Sequence, residues 1–221
     1  MQLNSDFSKF AVVRPADYEW VDSPIPGVKR MMLDRIGDEV ARATSLVRYE
    51  PNSTFSSHVH GGGEEFFVLE GEFGDEHQTY PAGTYVRNPI GTSHSPRIGS
   101  EGCVILVKLH QFDKEDTKPV VINTNENEWT PRYAPGLKVI PLHQFGDENV
   151  ALIRIAPNSS VDEHVHHGGE EAYVIEGHFA DEHGEYPAGT WVRHPDRSTH
   201  NAFTRDEGAL LFIKVGHLQS S

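Results

Sequence analysis

The sequence is poor in cysteine, in basic residues and in long apolar runs, and each shortage excludes a class of protein. A single cysteine, Cys103, rules out an internal disulfide and is typical of the reducing cytoplasm. Basic residues number 19 against 33 acidic ones, a net charge of -14 that argues against a nucleic-acid partner, because phosphate backbones select basic faces. No apolar run approaches the ~20 residues of a membrane span, and residues 1–10 lack a signal-peptide core. We therefore expect a cytoplasmic protein that binds neither nucleic acid nor membrane.

Long helical patterns are also missing, and short β-type runs take their place. Segments rich in Val, Ile, Phe and Tyr alternate with Gly, Pro, Asn and Asp. The predicted strands are 43–49, 65–69, 83–87, 103–109, 151–155, 171–175, 189–193 and 209–215. Many short strands separated by regular turn signals indicate an all-β sandwich or barrel.

The chain contains one long internal repeat. Residues 48–112 align with residues 154–218 without a gap, and about 30 of the 65 aligned positions are identical. The sequence upstream of residue 48 also repeats, except that the first copy has three additional residues after Gly37. The period of about 107 residues is long enough for a small domain with its own core. The predicted organisation is an N-terminal extension at 1–14, a first domain at 15–115 and a second at 116–221.

Three histidines and one glutamate occupy equivalent positions in the two copies. They are His58, His60, Glu64 and His94 in the first, and His164, His166, Glu170 and His200 in the second. Alternate residues of a strand share a face, so each His-x-His pair converges, and a Gly-rich turn should return the glutamate on the adjacent antiparallel strand. A lone His-x-His pair is more often a surface feature, but this duplicated set of four predicts metal ligands.

We predict one divalent metal ion per copy, and so two per chain. Three imidazole nitrogens and one carboxylate oxygen complete a tetrahedral zinc site, leaving no position for chemistry. The same ligands on octahedral iron, manganese or nickel leave two positions open. Zinc is the first expectation, and iron, manganese and nickel are the alternatives.

Two motifs resemble those of the cupin family. The first is His-x-His-x3-Glu-x6-Gly, completed by Gly71, and the second is the Pro-Ala-Gly string at 81–83 followed by His94. The fuller strings at 64–76 and 80–87 are similar to the ChrR-type cupin, the C-terminal domain of zinc-dependent anti-sigma factors. This resemblance covers nearly the whole chain, as two ChrR-type cupins in tandem. It implies two tandem cupin jelly-roll β-barrels.

The family spacing also separates the paired glutamates. It implies that Glu64 and Glu170 bind the metal, whereas Glu65 and Glu171 point to the other face of the strand. We expect the latter pair to be solvated or to form ion pairs with Arg or Lys. The repeated Arg87 is expected to brace a carboxylate, with contact to an anionic ligand as the alternative.

One feature of those anti-sigma factors is missing. They carry an N-terminal helical domain that binds the sigma factor and contains a second zinc site, built on a His and a Cys-x-x-Cys pair. The chain has no Cys-x-x-Cys, and we expect no such domain before the first repeat. The resemblance therefore implies metal binding, and we expect no sigma-factor partner for this chain alone.

Three functions are compatible with these features, and the sequence does not decide whether the chain is an enzyme. The first interpretation is a metal-binding bicupin that regulates or senses a small or reactive molecule. The second is a non-haem metal-dependent dioxygenase, or a related lyase, that acts on a small diketone or acid, since acetylacetone-cleaving dioxygenases have related cupins. The third is a storage or structural bicupin with closed sites.

Two kinds of interaction are expected. One is a small-molecule ligand, and the other is self-association into a homo-oligomer, because exposed strand edges need cover.

Differences between the copies predict different pockets. Ala172 stands where the first copy has Phe66, so the second pocket should be the roomier, unless Phe203 fills the space. Residues 1–14 have no recognised counterpart in the second copy and could cover a strand edge within the chain or in a neighbour. Cys103 should be a buried packing residue, because Ala209 occupies its place in the second copy.

Several polar residues are expected at the surface. The Asp-Glu-His string at 75–77, which returns at 181–183, is interpreted as an exposed hairpin tip. The histidines that lack a partner in the first copy are also expected there, with His194 alone considered for the lining of the second barrel. These histidines are His167, His178, His194 and His217.

Overall fold

The computed structural model describes residues 1–218, which form β-strands joined by short turns. The strands of the first half are β1 Gln2–Leu3, β2 Ala11–Val13, β3 Val21–Asp22, β4 Val28–Gly37, β5 Ala41–Tyr49, β6 His58–Val59, β7 Glu64–Gly74, β8 Thr79–Pro81, β9 Thr84–Asn88, β10 Ser93–His94 and β11 Arg97–Leu109. Those of the second half are β12 Val120–Asn123, β13 Thr130–Pro131, β14 Leu137–Phe145, β15 Glu148–Ile155, β16 Ser160–Val165, β17 Glu170–Asp181, β18 Gly184–Pro187, β19 Trp191–His194 and β20 Thr199–Val215. Two 3-10 helices, Pro15–Asp17 and Thr124–Glu126, complete the regular structure. No helix within these residues has the length and apolar character needed to cross a membrane.

The eight strands predicted from the sequence are all present, and the all-β prediction is confirmed. Several are longer than predicted. The predicted strand at 209–215, for example, is the end of the longer β20. Hydrophobic runs thus marked the buried centre of each strand but not the polar residues that extend its hydrogen-bonded ladder.

The chain folds into two compact units. The first comprises Met1–Ser5 and Glu19–Asn127, and the second comprises Asp6–Tyr18 and Glu128–Ser221. This division departs from the sequence-based boundaries at the start of each copy, because two short segments pair with strands far along the chain. β2 pairs with β19, and β12 pairs with β9.

These two segments are counterparts of each other. Each is a short strand followed, after at most one residue, by a 3-10 helix, and the two lie 109 positions apart in the sequence. The expectation that residues 1–14 have no counterpart is therefore wrong, since Ala11–Val13 corresponds to the first three residues of β12. Two uses were proposed for this extension. In the structure its strand β2 covers the edge of β19 within the same chain.

The two units repeat one sheet order. In the first, a nine-stranded antiparallel sheet runs β1-β4-β5-β11-β7-β9-β12, with β3 on β4 and β8 on β7, and a separate ribbon joins β6 to β10. In the second, the order is β13-β14-β15-β20-β17-β19-β2, with β16 on β20 and β18 on β17. The tandem cupin barrels predicted from the sequence are confirmed.

Each unit has its own hydrophobic core of inward-facing strand residues. The first core contains Phe66, Val68, Phe73, Tyr80, Val86, Ile98, Cys103, Ile105 and Val107 among others. The second contains Ala172, Val174, Phe179, Tyr186, Val192, Ala202, Ala209, Leu211 and Ile213 among others. Cys103 is buried there as predicted, and burial raises the pKa of its thiol to about 12.

A glycine bends a long central strand in each core. Gly71 in β7 has φ 70° and Gly177 in β17 has φ 73°. A Cβ atom at either position would lie about 2 Å from the carbonyl oxygen of Gly102 or Gly208. The pairing register of both strands shifts close to these glycines, so the glycines permit the bulges that curve the sheets.

Candidate metal centres

Strand pairing assembles the four predicted ligands of the first barrel. β6 pairs antiparallel with β10, which places His58 opposite His94. After His60 the chain turns through Gly63, at φ 78°, and Glu64 begins β7. The ligand atoms of all four residues lie within 4.8 Å of one another. β6 pairs with β10 and not with β7, so the predicted antiparallel pairing of the His-x-His strand with the glutamate strand is wrong, although the carboxylate still reaches the cluster.

The spacing of these ligand atoms fits a cation. His60 Nε2 lies 3.4 Å and His94 Nε2 lies 3.6 Å from Glu64 Oε1. Ligand atoms about 2.0–2.1 Å from a zinc ion lie roughly 3.3 Å apart at the corners of a tetrahedron. Both Nε2 atoms are buried and, among the described residues, have no hydrogen-bond partner. Buried imidazole nitrogens without partners are unfavourable unless something else, such as a metal ion, binds them.

Outer partners orient the imidazoles in both barrels. Nδ1 of His60 lies 2.9 Å from Thr92 Oγ1, and Nδ1 of His166 lies 3.2 Å from Ser198 Oγ. In the second barrel His164 Nδ1 lies 3.0 Å from the Asp162 carbonyl oxygen. Each contact engages Nδ1 and leaves Nε2 directed at the cluster, as in many metal sites where an outer group fixes the ligand tautomer.

Burial sets the charge of the first cluster. It lowers the pKa of His60 to about 3 and that of His94 to about 4, so both imidazoles are neutral at pH 7, as metal ligation requires. Burial also raises the pKa of the Glu64 carboxyl to about 7, although a hydrogen bond from Asn88 lowers it in part. A bound cation would favour the ionised carboxylate at this position.

The second barrel brings its histidines together in the same way. β16 pairs with β20, so His164 lies opposite His200. The ligand atoms of His164, His166 and His200 lie within 4.8 Å of one another, and the Nε2 atoms of His164 and His166 are 3.1 Å apart. Glu170 Oε2 lies 3.7 Å from His166 Nε2, but Glu170 falls outside this tight group. Its other oxygen, Oε1, is 3.9 Å from His194 Nδ1.

An aspartate supports the distal histidine, more closely in the second barrel. Asp181 Oδ2 lies 3.0 Å from His200 Nδ1 and 3.2 Å from His194 Nε2. The equivalent Asp75 Oδ2 lies 3.7 Å from His94 Nδ1. Burial, the largest single cause, lowers the pKa of His200, but the hydrogen bond to Asp181 and the charges of Glu170, Asp181 and Glu182 together raise it.

Both aspartates are buried, so the expectation of an exposed hairpin tip at 75–77 and 181–183 is wrong for these residues. Asp75 accepts hydrogen bonds from the backbone N–H groups of His77 and Gln78 and from the Tyr80 hydroxyl. The return of the string in both copies, each time followed by Tyr-Pro, was the available signal for this role.

The four histidines specific to the second copy differ in their surroundings. His194 is buried beside the cluster, where Asn88 stands in the first barrel, and its ring centroid lies 4.3 Å from that of His200. His217 is also not at the surface, since its side chain is 3% exposed and lies 3.6 Å from Glu171. His178 is half-buried and pairs with Glu185, and His167 is exposed as expected.

The neighbouring glutamates face away from the clusters and are buried. Glu65 Oε2 accepts hydrogen bonds from Arg87, at 2.5 Å, and from the Tyr85 hydroxyl, at 2.8 Å. Arg87 also pairs with Asp116 at 2.5 Å. The expected ion pair of Glu65 is thus present, and Arg87 braces carboxylates.

A sequence model of the ChrR cupin-like domain matches residues 8–113 and again residues 117–219. The chain belongs to the ChrR cupin-like family. The first match begins just before β2, and the second begins just before β12. The sequence unit of the family therefore includes these two short strands. No curated protein matches the chain significantly.

Solved structures share the fold at low sequence identity. A protein from Nostoc punctiforme provisionally assigned as a dioxygenase has a TM-score of 0.79 and 17% identity, with 97% of this chain and 85% of that one covered. A provisionally assigned glyoxylate-induced protein from Pseudomonas aeruginosa has a TM-score of 0.75 and 16% identity, covering 96% and 91%. The oxalate decarboxylase of Bacillus subtilis, a protein with Mn(II) centres, has a TM-score of 0.65 and 14% identity, covering 95% and 78%.

The two cupins differ most in the space beside their clusters. In the first, a cavity of about 630 Å³ is lined by His58, His60 and Glu64. In the second, a cavity of about 100 Å³ is lined by His164 and His200. The expectation that the Phe66-to-Ala172 difference makes the second pocket the roomier one is wrong. Phe66 packs into the core against Phe73, with ring centroids 4.8 Å apart, and does not line the first cavity.

Proposed function

We propose that this ChrR-like bicupin holds one divalent metal ion in each barrel and that its first cupin is an enzyme site for a small organic acid or diketone. The observation that carries this proposal is the position of the first ligand cluster, which opens onto a cavity of about 630 Å³. That volume lies within the ~300–1,000 Å³ typical of small-molecule sites. A structural metal site needs no such space beside it.

The residues of the first cupin would have two roles, to hold the metal and to surround the substrate. His58, His60, Glu64 and His94 hold the metal, which when bound supplies a Lewis acid for an oxygen atom of the substrate. Thr92 keeps the His60 ring turned toward the cluster, and largely apolar walls would contact the apolar part of a substrate. In the second cupin, His164, His166, Glu170 and His200 would hold a metal in a much smaller space.

The structural relatives support an enzyme, since one is provisionally a dioxygenase and another is an oxalate decarboxylase with Mn(II) centres. Manganese or iron would leave coordination positions for a substrate, so we propose one of these for the first cupin. Zinc remains the proposal for the second, where the space for a further ligand is small.

A sensor of a small or reactive molecule is the second candidate function. The family match to the ChrR cupin-like domain favours it, because the same site would bind its signal without turning it over. We propose that this chain by itself does not inhibit a sigma factor.

Turnover distinguishes the two candidates. The full chain, loaded with manganese or iron(II), should consume dioxygen or release product with at least one member of a panel of short β-diketones and oxo acids. His58→Ala should abolish that turnover, whereas His167→Ala, a change at an exposed histidine, should leave it unaltered. Tight ligand binding without turnover, in protein with both metal ions present, would contradict the enzyme and support the sensor.

A further inference from the structure

The cavity of the first cupin is lined by a positively charged side chain that is not one of the predicted metal ligands. Arg30 lies on β4 and lines the same cavity as His60 and Glu64. Its side chain is 21% exposed, and its Nε atom is buried without a hydrogen-bond partner among residues 1–218. A buried N–H group gains most from an acceptor that arrives with a ligand, because leaving the group unpaired is costly.

The ion pair shown by Arg30 is weak and open to exchange. Its Nη1 atom lies 3.4 Å from Oε2 of Glu39, whose side chain is 68% exposed. Exposed pairs of this kind contribute little to stability. A ligand carboxylate that reaches Arg30 inside the cavity can therefore replace Glu39 and also pair with the buried Nε.

The remainder of the wall is largely apolar and includes Val28, Val47, Phe55 and Leu109. A cavity of about 630 Å³ is on the order of 10 Å across, enough for a chain of several carbons. An apolar wall with a metal site and a guanidinium on its surface selects a ligand that is polar at two points and apolar between them.

The second cupin lacks this arrangement. Val139 stands at the position of Arg30, and the first copy has three more residues between Gly37 and Arg48 than the second has between Gly146 and Arg154. Val40, in that longer turn, lines the first cavity. The cation and the longer turn thus occur together in the copy with the large cavity.

We propose that the first cupin binds an elongated organic acid. An oxygen-donor group at one end faces the metal ligands, an apolar body fills the cavity and a carboxylate at the far end pairs with Arg30. This inference rests on the proposed function, since the donor end requires the metal. It adds the recognition of a second, remote charge, which sets the substrate class.

Two probes of equal length test the assignment in the full, manganese-loaded chain. 2-Oxosuberate and 2-oxooctanoate share an eight-carbon chain and an oxo-acid end, but only the first has a distal carboxylate. Isothermal titration calorimetry should show roughly tenfold or greater preference for 2-oxosuberate, as expected for one charge-assisted hydrogen-bonded pair. Arg30→Gln should remove this preference without loss of metal. Glu39→Gln should increase it, because the competing carboxylate is gone.

Arg205→Gln is the matched control, since Arg205 pairs with Glu185 in the second unit and its loss should leave the preference unchanged. Equal affinity of the wild type for both probes, or an undiminished preference in Arg30→Gln, would overturn the inference. Failure of metal-loaded wild type to bind either probe would overturn it as well. If the chain cannot hold metal in its first barrel, it is the proposed function that fails.

Discussion

The first cupin combines its histidine cluster with a cavity of about 630 Å³, whereas the second surrounds an equivalent cluster with further polar groups and leaves about 100 Å³. The four predicted ligand positions are the same in both. The surroundings differ, because His194 replaces Asn88 and Asp181 lies closer to its histidine than Asp75 does. Duplication has thus kept the four candidate ligand positions and changed their environment.

The largest expected effect is on metal content, and it tests whether the two clusters are independent. His58→Ala and His164→Ala should each reduce two metal ions per chain to one, and the double variant should hold none. Each change removes one of three imidazole ligands from one barrel only. Elemental analysis of purified protein measures this, with His167→Ala as the control that keeps both ions. A double variant that still holds two ions would place the metals elsewhere.

The second-largest expected effect is a loss of stability when the metal is removed. Ligands from separate strands are cross-linked by the ion, and at free metal 100 times its Kd each site adds about 2.7 kcal/mol to the free energy of unfolding. Chelation should therefore lower the melting temperature measured by calorimetry, and re-addition of metal should restore it. An unchanged melting curve in verified metal-free protein would show that the barrels are stable on their cores alone.

Core substitutions should affect the two cupins unequally. Phe66→Ala removes a ring packed on Phe73 and should cost about 3–5 kcal/mol. Ala172→Phe inserts a ring where a cavity of about 100 Å³ already exists, so its cost should be smaller, about 1–3 kcal/mol at most. Urea denaturation of both variants measures the difference. A larger loss in Ala172→Phe would mean that the second cavity cannot take the ring.

The smallest expected effect is a difference in histidine titration between the metal-free cupins. Burial lowers the pKa of His94 to about 4, whereas the hydrogen bond to Asp181 and the charges of neighbouring carboxylates together raise that of His200. Protonated His200 therefore contributes stability below its unfolded pKa, and that contribution is lost as pH rises through the folded pKa. His94 has the opposite sign, because the unfolded chain takes up a proton below about pH 6.5 and the folded one does not.

Proton NMR of the imidazole C2–H resonances follows both titrations. Asp181→Asn should lower the midpoint of His200 and leave that of His94 unchanged. Equal midpoints for the two histidines in the unmodified protein would show that Asp181 does not control its neighbour.

The fold and the convergence of the ligands could be predicted because both depend on local pattern and duplication. Alternation placed His58 and His60 together, and the repeat distinguished them from surface histidines. The cavity volumes could not be predicted from one position, because Phe66 packs into the core while the turn containing Val40 lines the cavity. The pairing of Ala11–Val13 depends on a contact between distant segments, which local sequence does not encode. The buried role of Asp75 was indicated by the repeated string at 75–77, which the turn prediction misread.

The central claim is that the first metal site admits an external ligand and the second does not. Cobalt(II) can be loaded into His164→Ala, which keeps the first site, and into His58→Ala, which keeps the second. Addition of azide should change the visible d–d spectrum of His164→Ala, because its cluster opens onto the larger cavity. The spectrum of His58→Ala should not change. A response confined to His58→Ala, or equal in both variants, would contradict this division between the two cupins.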